Sequence, residues 1–347
     1  MNTFVQFFVF CTVLFLYIHI QFHLKRGQEL ELYEITDPSK EQLNNVCDNR
    51  QPVLFNFPAD DILKICQMRI IFDQYHNFDL SVRDITAPIT AITKLPLREA
   101  VKLFISDPAA AAATASAAAD IKYLSESNGD FLAETGVQKY LQSNDGFLRP
   151  SMLATMSYDL WTGKQGLQTP LRYDVVYRNF FLVTEGQIQI KLIPAMYSKY
   201  LSEYKDYAGF EFISPVNPWH PSPQFSADFS KVKCLDFTVS AGKCLYIPAY
   251  WWFSMRFDGA PTTIVNFKYK TFMNMAAISP IYAMHFFELQ NLKRNISRGV
   301  APISTAVSVT TAPHVSAATA SAEIPGATSL ETLPSDGDSI REEPKNN

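Results

Sequence analysis

Apolar positions along this chain change rhythm three times, and each change marks a segment. Residues 4–20, "FVQFFVFCTVLFLYIHI", are almost continuously apolar. Beyond residue 40, helical spacing mixes with short strand signals. "LREAVKLFI" places Leu97, Ala100, Val101 and Phe104 at i, i+3, i+4 and i+7, one face of a helix. "PADDILKICQMR" carries similar spacing, "QPVLFNF" (51–57) reads as a short strand, and "SNGDFLAETGVQKYL" as a turn leading into a helix. From residue 168 strand signals dominate, in "QTPLRYD", "RNFFLVTEGQIQIKLIP", "GFEFIS", "CLDFTVSAGKCLYIP" and "TTIVNFKYK". The "TEGQ" turn joins two apolar runs as a tight hairpin. In the strand after it, Ile188, Ile190 and Leu192 fall on one face and Gln189 and Lys191 on the other. Many short antiparallel strands predict a mainly β fold with flanking helices, a jelly roll or double-stranded β-helix. The last patterned stretch, "MNMAAISPIYAMHFFELQNLK", predicts a helix pair broken near Pro280. It is too polar to span a membrane and suited to pack on the barrel or on a partner.

The ends differ in kind from the middle. A helix over residues 4–20 reaches about 25 Å, near the lower limit for crossing a bilayer. A cleaved signal peptide is the rival reading, but no basic residue precedes the run and no small-x-small site follows it. An uncleaved anchor is therefore expected over residues 1–23, followed by a linker over 24–40. Lys25 and Arg26 follow the span, so the positive-inside tendency puts the following domain in the cytoplasm of a single-pass membrane protein. One domain is expected over 41–293, interrupted by an Ala-rich insertion at 107–120, "DPAAAAATASAAAD". A tail over 294–347, rich in Ala, Ser, Thr and Pro, lacks a periodic apolar face and reads as disordered.

Composition narrows the function classes. The 347 residues are 47% hydrophobic, enough for a sizeable core, and the net charge of −4 with no Lys/Arg-rich stripe argues against nucleic acid as a partner. The five cysteines (Cys11, Cys47, Cys66, Cys234, Cys244) contain no C-x-x-C pair. They suit a reducing compartment better than a disulfide framework or a zinc cluster.

The pieces "TPLRYDVVYRNFFLVTEGQIQIKLIP", "GKCLYIPAYWW" and "TTIVNFKYK" occur in an order that resembles the cupin-like (JmjC-type) barrel family. The resemblance covers roughly residues 50–270 and extends to the group containing the asparaginyl hydroxylase of the hypoxia-inducible transcription factor. It implies a barrel whose enzymes hold Fe(II) with an H-x-D/E pair and a distant histidine, leaving positions for 2-oxoglutarate and oxygen. The positions that match those ligands here read Arg172, Asp174 and Phe253. A guanidinium has no lone pair to give and stays protonated, a phenyl ring offers only its π face, and one carboxylate does not hold iron. The expectation is an Arg172–Asp174 ion pair, or Arg172 stacked on aromatics, filling the former metal position, with Phe253 as a plug. The resemblance places Ile188 where the hydroxylase carries its 2-oxoglutarate lysine, and Lys191 faces the other way. Thr169, Asn179 and Asn266 match polar positions of the co-substrate pocket.

No other constellation restores chemistry. His19 and His23 belong to the anchor and His314 to the tail. His76 reads as solvent-facing or capping, His285 as a packing histidine on an apolar helix, and His220 in "NPWHPSPQF" as the best remaining ligand candidate, without an H-x-D/E partner. Walker, G-x-G-x-x-G and G-x-S-x-G patterns are missing. Tyr250, Trp251 and Trp252 are expected to pack the barrel rather than form a stacking platform.

The reading that results is a membrane-anchored, non-catalytic binding or scaffold module that needs no cofactor. It would take a protein segment or small polar ligand near Thr169, Arg172, Asp174, Asn179 and Asn266. The alternative is an Fe(II)/2-oxoglutarate-dependent hydroxylase with atypical ligands such as Asp174 and His220. Self-association through residues 271–293 is a further expectation.

Overall fold

The fold is that of a computed structural model, which describes residues 3–85, 92–104, 123–259 and 261–299, with side chains as far as residue 291. The Ala-rich insertion at 107–120 and the tail from residue 300 lie outside the described residues.

The first helix, α1 (Thr3–Leu24), is 22 residues long, about 33 Å at 1.5 Å per residue. Its residues are exposed as far as Ile18, and only its last turns touch the domain. Next comes β1 (Tyr33–Ile35), within the stretch expected to be a linker. It pairs in parallel with β2 (Val53–Asn56), so a connection expected to be free is tied to the sheet by ladder hydrogen bonds. Between them lies α2 (Lys40–Asp48), started by a capping box in which Ser39 accepts from Gln42 and Gln42 reaches back. The "PADDILKICQMR" stretch forms two short helices rather than one, α3 (Asp60–Ile65) and the start of α4 (Met68–Tyr75).

A hairpin of β3 (Asp79–Asp84) and β4 (Ile92–Pro96) is followed by α5 (Leu97–Phe104), with Leu97, Ala100, Val101 and Phe104 buried as the spacing requires. Then come β5 (Tyr123–Ser125), α6 (Gly129–Glu134), α7 (Val137–Asn144) and the long β6 (Leu153–Gly163). The barrel continues with β7 (Leu171–Tyr173), β8 (Arg178–Glu185), β9 (Gln187–Ile193), β10 (Tyr204–Asp206) and β11 (Glu211–Ser214). After α8 (Pro223–Phe229) it closes with β12 (Leu235–Ser240), β13 (Lys243–Ile247), β14 (Trp252–Phe257) and β15 (Thr262–Thr271). Helices α9 (Phe272–Ala277) and α10 (Ser279–Gly299) follow, broken at Ile278, so helix continues past the expected boundary at 294.

Two sheets face each other. Nine strands run β1-β2-β13-β8-β15-β6-β5-β3-β4, and six run β10-β11-β7-β14-β9-β12; all the pairings are antiparallel except β1–β2. Residue alternation sorts the side chains into layers. Phe181 and Val183 of β8 point between the sheets, where they meet Ile188, Ile190 and Leu192 of β9 and Phe253, Met255 and Phe257 of β14. Phe180 and Leu182 point the other way, under α2 to α7. This two-sided burial explains why "NFFLV" is an unbroken apolar run while "QIQIKLI", which buries one face, alternates. Gly186 makes the tight β8–β9 turn at φ +75°, and a Cβ there would sit 2.5 Å from the Thr262 hydroxyl.

Candidate functional site

The site lies where β7 meets β14. The register pairs Phe253 with Arg172 and Trp252 with Tyr173, so the two positions matched to metal-ligand positions are direct neighbours on adjacent strands. Alternation then separates the residues. Leu171, Tyr173, Tyr250 and Trp252 form a cluster on the outer face of the smaller sheet, while Trp251 and Phe253 point between the sheets. These aromatics are all buried and pack the barrel, as expected of them. Phe253 is 1% exposed, with its ring centroid 5.4 Å from that of Phe181.

Arg172 does not pair with Asp174. Its Nη2 donates to Glu126 Oε2 at 2.6 Å, and the guanidinium lies over the Trp161 ring, 4.5 Å from its centroid. Glu126, at the end of β5 and 2% exposed, also faces Arg83 Nε at 2.7 Å, and Arg83 in turn binds Glu211. A carboxylate this deeply buried is costly unless cations answer it, and two arginines do. Burial by itself would raise the Glu126 carboxyl; the charges of Arg172 and Arg83 outweigh that and hold it below the usual carboxylate range.

Asp174 lies just past the end of β7, where its backbone carbonyl accepts from Tyr250. There its carboxylate meets Lys268 at 3.1 Å and accepts from Asn179 Nδ2 at 2.8 Å. Asn179 Oδ1 accepts in turn from Asn266 Nδ2 at 2.7 Å. Desolvation raises the carboxyl of the neighbouring Asp159, although it accepts from the backbone of Asn128 and Ser127 and from Trp161 Nε1.

These groups border a cleft of about 160 Å³ lined by Glu126, Asp159, Trp161, Arg172, Asp174 and Lys268, among others. Of the five residues singled out in the sequence, Arg172 and Asp174 line it. Asn179 stands behind Asp174, and Asn266 borders an adjoining recess with Lys268 and Asp159. Thr169 is elsewhere: its hydroxyl accepts from Met255 N at 2.9 Å and helps fasten its loop to β14. Arg83, Glu126, Asp159, Trp161, Glu211 and Lys268 escaped sequence reasoning. The only local signal was a charged Arg83 inside the otherwise buried run of β3.

Among the described residues no histidine lines the cleft. His220 is exposed on its loop, His76 is exposed at the end of α4, and His285 packs on Phe210 with Nδ1 2.6 Å from the Tyr207 carbonyl. Among the described residues no three His, Cys, Asp or Glu side chains converge as metal ligands. The donor set around Arg172 does not fit Fe(II): a guanidinium and a phenyl ring have no electron pair to give, and Asp174 is held by Lys268 and Asn179. Ile188 is wholly buried, and Lys191 turns away to Asp236 at 3.5 Å.

A family model for the cupin-like domain matches residues 86–275, more than half of the chain and including β4 to β15. The chain belongs to the cupin-like domain family. In this cupin-like domain the two sheets, the β8–β9 hairpin and the β7–β14 ladder build the barrel, and α1 is long and apolar enough to cross a membrane.

Proposed function

We propose that this protein is a membrane-tethered cupin-like module that binds rather than catalyses. The observation that carries the reading is the pairing of Arg172 with Phe253 in the β7–β14 ladder, with the arginine neutralised by Glu126 and the phenyl ring sunk in the core. Metal-dependent oxygen chemistry requires several lone-pair donors converging on one ion; Arg172 and Phe253 supply none, and the Glu126 carboxylate is taken up by Arg172 and Arg83. The ion pairs and the apolar plug stabilise the barrel without a metal.

The cleft remains as the binding feature. At about 160 Å³ it is smaller than pockets for drug-sized ligands, which start near 300 Å³, and suits a small polar molecule or one side chain of a protein segment. In this reading α1 anchors the module as a single span, with Lys25 and Arg26 holding the domain on the cytoplasmic side.

Anaerobic titration of the full chain with Fe(II) tests the proposal. The wild-type protein is expected to give no stoichiometric binding, and the Arg172→His/Phe253→His variant to gain it. Tight stoichiometric binding by the wild-type chain, or 2-oxoglutarate turnover that Asp174→Ala abolishes, would overturn the reading.

A further inference from the structure

The face of the domain beside α1 carries exposed apolar side chains that the proposed function leaves unused. The groove between α1 and the domain is first bordered on the helix by Ile18, about 9 Å before the end of the helix at 1.5 Å per residue. There Ile18, His19 and Phe22 line a groove of about 360 Å³ with Met152, Tyr177 and Met273. These domain residues belong to one end of the barrel, where β6 and β8 begin and β15 gives way to α9. At that end Met152 is 66% exposed and Phe272 61% exposed, and the Phe272 N–H points at the Met152 carbonyl 3.4 Å away. Met152 also has φ 56°, a left-handed conformation that non-glycine residues adopt only under strain.

We propose that the barrel stands end-on against the bilayer, with Met152 and Phe272 in the lipid headgroup layer. The inference rests on α1 spanning the membrane. Of the roughly 33 Å of α1, the last two turns take about 11 Å. With those turns at the interface, the remaining ~22 Å crosses a hydrocarbon core of about 30 Å by locally thinning the bilayer, and what the last turns touch lies at the interface too. Ile18 and Phe22 of α1 border one groove with Met152 and Met273, and exposed Phe272 is next to Met273 in the chain; this run of apolar side chains leading off α1 makes lipid the occupant. Lys25 and Arg26, exposed just beyond the span, add positive charge at the level of the headgroup phosphates. The opposite end of the barrel stays in water: β6 runs from Leu153 to Gly163, about 36 Å at 3.3 Å per residue, and ends beside exposed Lys164.

Lipid nitroxide quenching on the full chain in phosphatidylcholine–phosphatidylserine nanodiscs tests this. With Cys11 and Cys234 replaced by serine, a fluorophore is attached to Leu14→Cys, Met152→Cys, Phe272→Cys or Lys164→Cys, one at a time. Headgroup nitroxide is expected to quench positions 152 and 272 severalfold more than position 164, and mid-chain nitroxide to quench position 14. If position 14 is quenched while 152 and 272 behave like 164, the docking is wrong and the span stands. If position 14 escapes quenching, the span fails and takes the docking with it. Blue-shifted emission at 152 without nitroxide quenching would mean that protein covers this face, which also overturns the proposal.

Discussion

Arg172 and Phe253 are partners in one antiparallel ladder, yet their side chains end in opposite surroundings: a guanidinium between Glu126 and Trp161, and a phenyl ring among Phe181 and the interior apolar side chains. The strands bring their Cα atoms to within about 5 Å. Side-chain length decides the rest. Arginine reaches across to β5, whereas phenylalanine stays where its strand puts it.

Glu126 holds this arrangement more firmly than Arg172 does. Replacing Glu126 by leucine leaves two arginines without their shared anion and is expected to cost about 3–5 kcal/mol. Arg172→Met leaves Glu126 paired with Arg83 and is expected to cost less, about 1–3 kcal/mol. Urea unfolding of both variants measures the order. A larger loss for the arginine variant would contradict the shared-anion account.

The same carboxylate makes stability pH-dependent. Its folded pKa is lowered by Arg172 and Arg83 against burial, so the unfolded chain binds the proton more readily. The stabilisation is therefore complete above the ordinary value of 4.5 and is lost as pH falls below it towards the folded value. Asp159, raised by desolvation, acts with the opposite sign, its contribution falling as pH rises above the ordinary carboxylate value. Comparing wild type with Glu126→Gln across the acid range isolates the first effect. The stability difference is expected to shrink below pH 4.5, and a constant difference would refute the linkage.

Phe253→Ala removes a wholly buried ring from between the sheets, with an expected loss of about 3–5 kcal/mol. Phe253→Leu keeps most of the volume and is expected to cost less than about 1.5 kcal/mol. Thermal unfolding of the two variants checks this. A neutral alanine variant would mean that the site is loosely packed.

Thiol chemistry reports on the core. Burial pushes Cys47 and Cys66 up to about 12 and raises Cys244 as well. At neutral pH these thiols are expected to react with a thiolate-selective reagent only after denaturation, while Cys234, also raised by burial but only half-buried, is expected to react slowly in the folded protein. Peptide mapping of the labelled chain distinguishes them.

Much of the framework was legible along the chain. Alternation marked which residues of β9 turn inwards, "TEGQ" marked the hairpin, and the i, i+3, i+4, i+7 spacing marked the buried face of α5. The strand in the expected linker was not legible. β1 is three residues long, too short to carry a period, and it exists through its pairing with β2.

In the site, the residue types alone determined that Arg172 and Phe253 lack electron pairs for a metal, because that is a property of guanidinium and phenyl groups in any fold. The partners were decided only by tertiary structure. Glu126 lies 46 residues from Arg172, and Lys268 lies 94 from Asp174. Periodicity reports which face of its own element a side chain occupies. It carries no information about which distant charge the packing of two sheets will set against it.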